Sequence, residues 1–102
     1  MAKQKPPYRI EWRWKAREDL RAIVRYIGKD NPTRARNFIQ ELHDKTLPLE
    51  QHPELGRSGR PGVPNYVHEI VAHRHYIVFY RVLDEVSTVE ILRVKHAAQQ
   101  TP

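Results

Sequence analysis

Hydrophobic and polar residues follow two different periods in the first third of the chain. Residues 8–12, YRIEW, alternate large apolar and charged side chains, as a half-buried strand does. After Trp12 the apolar positions instead recur every three or four residues, which is the spacing of one helical face. This face comprises Ala16, Leu20, Ile23, Val24 and Ile27, and Gly28 closes the predicted helix.

A second helix is predicted to follow almost at once. Asn31 is a good N-cap, and Pro32 suits the first helical position because no amide donor is needed there. Pro48 ends or kinks the helix, since the residue before a proline resists the helical conformation. The predicted apolar side of this helix consists of Ala35, Phe38, Ile39, Leu42 and Thr46. Two helices with a short joint form a hairpin whose apolar faces must pack on something else.

The second half of the chain reads as a loop followed by strands. Residues 53–64 hold three of the four glycines and three of the eight prolines, which predicts a loop. Three strand-like runs follow, at residues 66–72, 75–83 and 87–96. The order strand-helix-helix-strand-strand-strand predicts an α+β fold, with the helical hairpin packed on one face of a mainly antiparallel four-stranded sheet. We expect residues 1–102 to form a single domain, with residues 1–7 as a flexible tail.

Both faces of this predicted sheet are apolar in the middle. In the strand 75–83, Ile77 and Phe79 lie opposite Val78 and Tyr80. Strict alternation in the last strand puts Leu92, Val94 and His96 on one side and Val89, Ile91, Arg93 and Lys95 on the other. Because two helices can cover one face, we expect the other face to stay open, apolar in its centre and basic at its edges, for a partner.

Composition narrows the class of protein. The chain has 102 residues, which is enough for one modest core, and its net charge of +6 attracts polyanions or an acidic protein. It has no cysteine for a disulfide or a thiolate metal site. No apolar run approaches the roughly 20 residues of a membrane span, and the lysines near the start lack the apolar block of a secretion signal. We therefore expect a cytoplasmic protein without membrane contact.

Several segments together resemble a known family. The helical region from Ala16 to Arg57, with its DL..I..YI pattern and NP joint, precedes the strand endings FYRV and LRVKH. This combination resembles the RelE/ParE superfamily of type II toxin-antitoxin toxins, and most of all its ParE branch. The resemblance implies a bacterial toxin of the fold predicted above, neutralised by a cognate antitoxin and able to form a hetero-oligomer with it.

The two branches imply different targets. The ParE branch is associated with poisoning DNA gyrase, and the RelE branch with cutting messenger RNA in the ribosomal A site. In our alignment, the strand arginine of the nucleases falls at Ile77 and one of their lysines at Ile70, and no tyrosine follows His96. The nuclease residues are therefore incomplete, which favours the ParE branch. A non-toxic module that binds nucleic acid or protein is a third possibility on the same scaffold.

If the chain is a nuclease, four residues are candidates for the missing chemistry. His96 would be the general acid, since imidazole titrates close to neutral pH. Arg93, Arg81 and His68 would complete the catalytic set. Each has a structural alternative: His96 can cap the last strand, and the two arginines can brace the sheet against carboxylates such as Glu69 or Glu90.

Target binding and metal binding have separate candidates. Arg57, Arg60, Arg74 and Lys95 are candidates for contacts with the target, although Arg57 and Arg60 can also be solvated loop charges. His73 and His75 invite a metal site, but no third ligand has a suitable spacing, so we expect neither metal nor cofactor. Tyr76 and Tyr80 share a face, and we expect them in the core rather than in a base-stacking platform.

Overall fold

The computed structural model describes residues 6–98, which form two helices and a four-stranded mixed sheet. The strands are β1 (Arg9–Trp12), β2 (His68–His73), β3 (Tyr76–Leu83) and β4 (Thr88–His96), and the helices are α1 (Trp14–Gly28) and α2 (Pro32–Thr46). The sheet order is β1-β4-β3-β2, with β1 parallel to β4 and the other pairs antiparallel. The predicted α+β fold and element order are confirmed. Of the predicted tail, residues 1–5 lie outside the described range.

The helix boundaries follow the local signals. The Asn31 side chain accepts the backbone N–H of Arg34 at 3.0 Å, so it caps α2 as predicted, and Pro32 is the first helical residue. Pro48 does not continue α2 but lies in a short 3-10 helix, Leu47–Glu50. Ile39 is 42% exposed, so the predicted apolar side of α2 was one residue too wide. No helix among residues 6–98 combines the length and apolarity needed to cross a bilayer.

The helices pack on one face of the sheet. The main core joins α1 and α2 to β3 and β4, and its most deeply buried members include Ala16, Phe38, Leu42, Val78, Tyr80, Val89, Ile91 and Val94. At about 1.5 to 3 kcal/mol for each large apolar side chain, this burial is the main stabilising term of the fold.

The alternation predicted for β4 is wrong beyond Ile91. Tyr80 pairs with Ile91, whereas its neighbour Phe79 pairs with Arg93, so Leu92 is an extra residue in the ladder. A bulge of this kind shifts the side-chain alternation by one position. Val89 and Ile91 therefore join Val94 in the helix-side core, and Leu92 packs in a smaller cluster with Phe79 on the other face.

The second face of the sheet, which the sequence predicts to stay open, is covered over Ile77 and Phe79, and of its apolar residues Val71 on the edge strand β2 stays 66% exposed. Val63 and Val67, from the segment that precedes β2, cover Ile77 and Phe79, and Phe79 has no exposed surface. The Pro- and Gly-rich segment 53–67, which we call the cover loop, thus folds back onto the sheet instead of crossing solvent. Burial of an otherwise exposed phenylalanine explains why it does so.

Two backbone contacts fix the start of the cover loop. Arg57 and Glu69 exchange backbone hydrogen bonds of 3.1 and 2.8 Å, which adds a one-residue bridge to the outer edge of β2. The Gly56 N–H donates to the Tyr80 hydroxyl at 2.8 Å. A Cβ atom at position 56 would lie 2.6 Å from the Glu69 carbonyl oxygen and 2.7 Å from the Tyr80 hydroxyl, so the backbone approach requires glycine.

We predict that Gly56→Ala destabilises the protein by about 1–3 kcal/mol, the usual cost of overpacking. Gly28→Ala is the matched control, because its Cβ would lie 3.6 Å from the Ala35 Cβ, an ordinary contact. At this helical position the control should be neutral or stabilising by up to about 1 kcal/mol. Urea unfolding of both variants measures the difference, and equal stabilities would contradict the close approach at Gly56.

Candidate functional site: the histidine groove

The four candidate nuclease residues do not form one cluster. His96 pairs with Tyr76 at the end of β4, whereas Arg81 pairs with Glu90, six residues earlier along the same strand. At about 3.3 Å per residue, this separation is roughly 20 Å. His68 lies on β2, two strands away from β4, where its ring stacks on Tyr80 at 5.3 Å. The structure therefore does not bring these residues to one phosphate.

Both candidate arginines bind carboxylates. Arg81 donates from Nε to Glu90 Oε1 at 2.6 Å, and Glu90 is buried. Arg93 donates from Nε and Nη2 to the two carboxylate oxygens of Asp19, at 2.8 and 3.0 Å. This hydrogen bonding raises the pKa of Arg93 above its usual value. The bracing partner of Arg81 is one of the two named from sequence, but the partner of Arg93 is Asp19 and not Glu69 or Glu90.

Asp19 has a second role at the open edge of the sheet. The neighbouring strand β1 reaches Ile91 and ends, so the later residues of β4 have no strand on that side. The Asp19 carboxylate accepts the backbone N–H of Val94 at 2.9 Å and replaces the missing strand there. Removal of Asp19 would leave a buried amide and the Arg93 guanidinium unpaired, which is costly.

The four candidate target-binding cations lie at two places. Arg57 and Arg60 are on the cover loop beside β2, whereas Arg74 is in the turn between β2 and β3 and Lys95 is near the end of β4. Arg60 is not a solvated charge, because its Nε and Nη2 donate to the two oxygens of Glu69 at 2.6 Å each. Its guanidinium also lies 5.7 Å from the Phe79 ring centre. The side chain of Arg57 is exposed and forms no ion pair within residues 6–98, although, after the Arg60 hydrogen bonds, its charge also contributes to the lowered pKa of Glu69.

Three histidines meet in a cavity of about 650 Å³, which we call the histidine groove. The groove lies between the joint of the two helices, α2 and the β2–β3 turn. It is lined by Tyr26, Ile27, Asn31, Thr33, Arg34, Asn37, Phe38, Glu41, His73, His75, Tyr76 and His96. His96 is thus the one candidate nuclease residue that borders it, and Arg74 and Lys95 lie at the same end of the sheet.

The rings on the sheet side of the groove contact one another. His75 and His96 stack in parallel, with centroids 5.6 Å apart and an angle of 8°. Tyr76 packs edge-on against His96 at 5.3 Å and against Phe38 at 5.1 Å. The expectation that Tyr76 and Tyr80 are core residues holds for Tyr80, which is fully buried, whereas Tyr76 is half-buried and borders the groove.

Hydrogen bonds and burial determine which groups of the groove carry protons. His96 Nδ1 accepts the Ala98 backbone N–H at 3.1 Å, so its neutral form carries the proton on Nε2. Burial, with a smaller contribution from Tyr26, raises the pKa of Tyr76, so its hydroxyl stays protonated at neutral pH. His73 Nε2 lies 3.5 Å from Glu41, and its buried Nδ1 has no hydrogen-bond partner among the described residues.

Sequence reasoning missed the contribution of the helices to this groove. Tyr26 and Arg34 lie on the exposed sides of α1 and α2, where a polar or aromatic residue gives no distinct signal. The helical hairpin brings them opposite the β2–β3 turn. Within residues 6–98, no three histidine or carboxylate side chains are grouped as a metal site would require.

Comparisons with known proteins point to toxins of toxin-antitoxin systems, and the names of the matches include both ParE and RelE. Residues 10–101 match the family model described as the ParE toxin of the type II toxin-antitoxin system parDE. Toxin RelE2 of Caulobacter vibrioides is 33% identical over 90 residues, which cover 88% of this chain and 96% of that protein.

Two solved structures share the fold. The chromosomal ParDE toxin-antitoxin system from P. aeruginosa aligns with a TM-score of 0.74 and 25% identity, over 88% of this chain and 96% of the other. The toxin-antitoxin complex RelBE2 from Mycobacterium tuberculosis aligns with a TM-score of 0.61 and 23% identity, over 96% of this chain and all of the other. The second likeness concerns the fold alone.

We predict that Arg60→Ala costs roughly 3 kcal/mol of unfolding free energy at pH 7, because it leaves the buried Glu69 carboxylate unpaired. Arg57→Ala, on the same loop, should change stability by less than about 0.5 kcal/mol. Urea unfolding of the two variants measures this difference, and equal losses would contradict a structural role for Arg60.

The ion pair between Arg60 and Glu69 also predicts that the free energy of unfolding depends on pH. The Arg60 hydrogen bonds lower the pKa of Glu69 below its ordinary 4.5. The stabilisation is therefore fully present above pH 4.5 and is lost as the pH falls through the lowered folded-state pKa. In Arg60→Ala this acid-induced loss should become smaller, because only the weaker attraction of Arg57 would still lower the pKa of Glu69. If wild type and variant lose stability in parallel below pH 4.5, Glu69 is not held by Arg60.

Proposed function

The chain belongs to the ParE family of type II toxin-antitoxin toxins, and on that basis we propose that it poisons DNA gyrase in the bacterial cytoplasm. The match to the ParE family covers residues 10–101, nearly the whole chain. In this proposal the toxin acts by binding gyrase and performs no chemistry of its own.

The pairing of the strand arginines is the observation that carries this proposal. RNA cleavage through a 2'-hydroxyl needs a cation on the scissile phosphate and a nearby proton shuttle. The Arg81 and Arg93 guanidiniums are bound to Glu90 and Asp19, whose side chains are 7% and 16% exposed. Moving Arg93 to a phosphate would leave the largely buried Asp19 carboxylate without its ion-pair partner, at a cost of several kcal/mol. Moving Arg81 would leave the buried Glu90 with only a longer contact, of 3.4 Å, to the half-exposed Arg13.

Messenger RNA cleavage on the ribosome is the second candidate. The relative named toxin RelE2 favours it, as does the stacked pair formed by His96, at the end of β4, and His75, just before β3. In that case His96 would be the general acid, and His75 or Tyr76 would be its nearest ring neighbours. The guanidinium groups of Arg81 and Arg93 would then have to leave their carboxylate partners and bind the substrate.

A cognate antitoxin is the proposed inhibitor and partner in a hetero-oligomer. The solved ParDE structure that aligns with this chain is a toxin-antitoxin system, and the net charge of +6 suits an acidic or amphipathic antitoxin segment. A neighbouring gene for a small protein with a DNA-binding half would support this proposal. Its absence would favour a non-toxic interaction module.

We predict that expression without antitoxin stops DNA synthesis before protein synthesis and induces the damage response. Pulse labelling with thymidine and leucine after induction measures the order of the two effects. Co-expression of the antitoxin is the control that restores growth. An immediate stop of translation with A-site cleavage of messenger RNA would contradict the proposal.

The variant His96→Ala separates the two mechanisms further. Gyrase poisoning needs no general acid, so this variant should still inhibit growth, and the exposed position limits damage to the fold. If growth inhibition disappears while the variant remains folded and still binds antitoxin, the result would support the nuclease alternative and contradict gyrase poisoning.

A further inference from the structure

The histidine groove adjoins a second, smaller groove on the other side of a row of aromatic residues. The second groove has a volume of about 320 Å³ and is lined by Asp19, Ala22, Ile23, Tyr26, Tyr76, Val94, Lys95 and His96. Tyr26, Tyr76 and His96 border both grooves. The end of the sheet therefore carries two neighbouring depressions that share an aromatic boundary.

The shared boundary offers flat aromatic surfaces. The Tyr26 side chain projects from the last turn of α1 and is 73% exposed. The parallel rings of His75 and His96 are both on exposed residues at the opposite wall. An exposed tyrosine and a stacked pair of imidazoles suit a planar ring, since base-aromatic stacking tolerates any base.

Each groove also contains a cationic side chain that takes no part in the ion pairs of the described residues. Arg34 lines the histidine groove and Lys95 lines the second groove, and neither forms an ion pair within residues 6–98. The acidic residues nearby are engaged: Asp19 holds Arg93 and the Val94 amide, and Glu41 lies beside His73. Both grooves thus present positive charge next to aromatic rings.

We propose that the two grooves together bind a short segment of single-stranded nucleic acid. Unpaired bases would stack on Tyr26 and on the His75–His96 pair, and successive phosphates would contact Arg34 and Lys95. Arg34 and Lys95 lie in different grooves, one on each side of the aromatic boundary. This arrangement suits a nucleic-acid strand that crosses the boundary, whereas a single nucleotide would occupy one groove. A duplex keeps its bases stacked on one another and cannot use the aromatic surfaces. The proposal does not depend on the choice of gyrase as target.

The test is fluorescence polarisation of a labelled single strand with the purified full chain at about 50 mM salt, where phosphate contacts are strong. Tyr26→Ala should weaken binding by at least about fivefold, the effect of losing one stacked base. Arg34→Ala should weaken it and reduce the slope of log affinity against log salt by about 0.7. Both positions are exposed, so neither substitution should affect folding.

Matched controls distinguish this site from general attraction to a basic protein. Tyr66→Ala removes another tyrosine, 60% exposed and outside both grooves, and Arg36→Ala removes another exposed arginine of α2. Both control variants should bind as wild type does. Losses in the controls equal to those in Tyr26→Ala and Arg34→Ala would overturn the proposal.

Three competitors complete the test. Duplex DNA, a free mononucleotide and an acidic peptide should each compete more weakly than an unlabelled single strand. Equal competition by duplex would indicate an electrostatic surface, and equal competition by the mononucleotide would indicate a one-nucleotide site. Stronger competition by the peptide would assign the grooves to a protein partner. Each of these three results, and equally a failure of the wild-type chain to bind the strand, would overturn the proposal.

Discussion

Both faces of the four-stranded sheet are apolar, and each therefore has to be covered by another segment of the chain. The two helices cover Val78 and Tyr80, while the cover loop places Val63 and Val67 over Phe79. A loop rich in glycine and proline has little propensity to pack by itself, so its position depends on specific attachments. The ion pair between Arg60 and the buried Glu69 is the strongest of these attachments, since it is bidentate and shielded from solvent.

The same constraint explains why the basic strand residues are poor candidates for catalysis. Carboxylates that are buried beside the sheet need cations, and Glu69, Glu90 and Asp19 take Arg60, Arg81 and Arg93 respectively. Much of the positive charge at the centre of the fold is therefore neutralised internally. The remaining basic and aromatic surface lies at the end of the sheet, around the histidine groove, which is where a partner has groups to recognise.

Local signals predicted most of the fold and little of the site. The periodicity of apolar residues and the helix-start signal at Asn31 and Pro32 predicted the helices and strands. These signals are readable because they involve residues that are neighbours in sequence. The bulge at Leu92 and the closure of the cover loop depend on pairings with other strands, for which the sequence has no local signal. The partner of Arg93 is 74 residues away, and Tyr26 and Arg34 join the histidines only through the orientation of the helical hairpin.

Native-state hydrogen exchange tests the closure of the second face most directly. The amides of Arg57 and Glu69 bond to each other's carbonyl oxygens across the cover loop and β2. They should exchange nearly as slowly as the amides that join β3 to β4, because opening them would expose Phe79. If both amides exchange as fast as in an unfolded peptide while β3 and β4 stay protected, the loop does not cover the sheet. The apolar face would then be open, and the structural role assigned to Arg60 would be wrong.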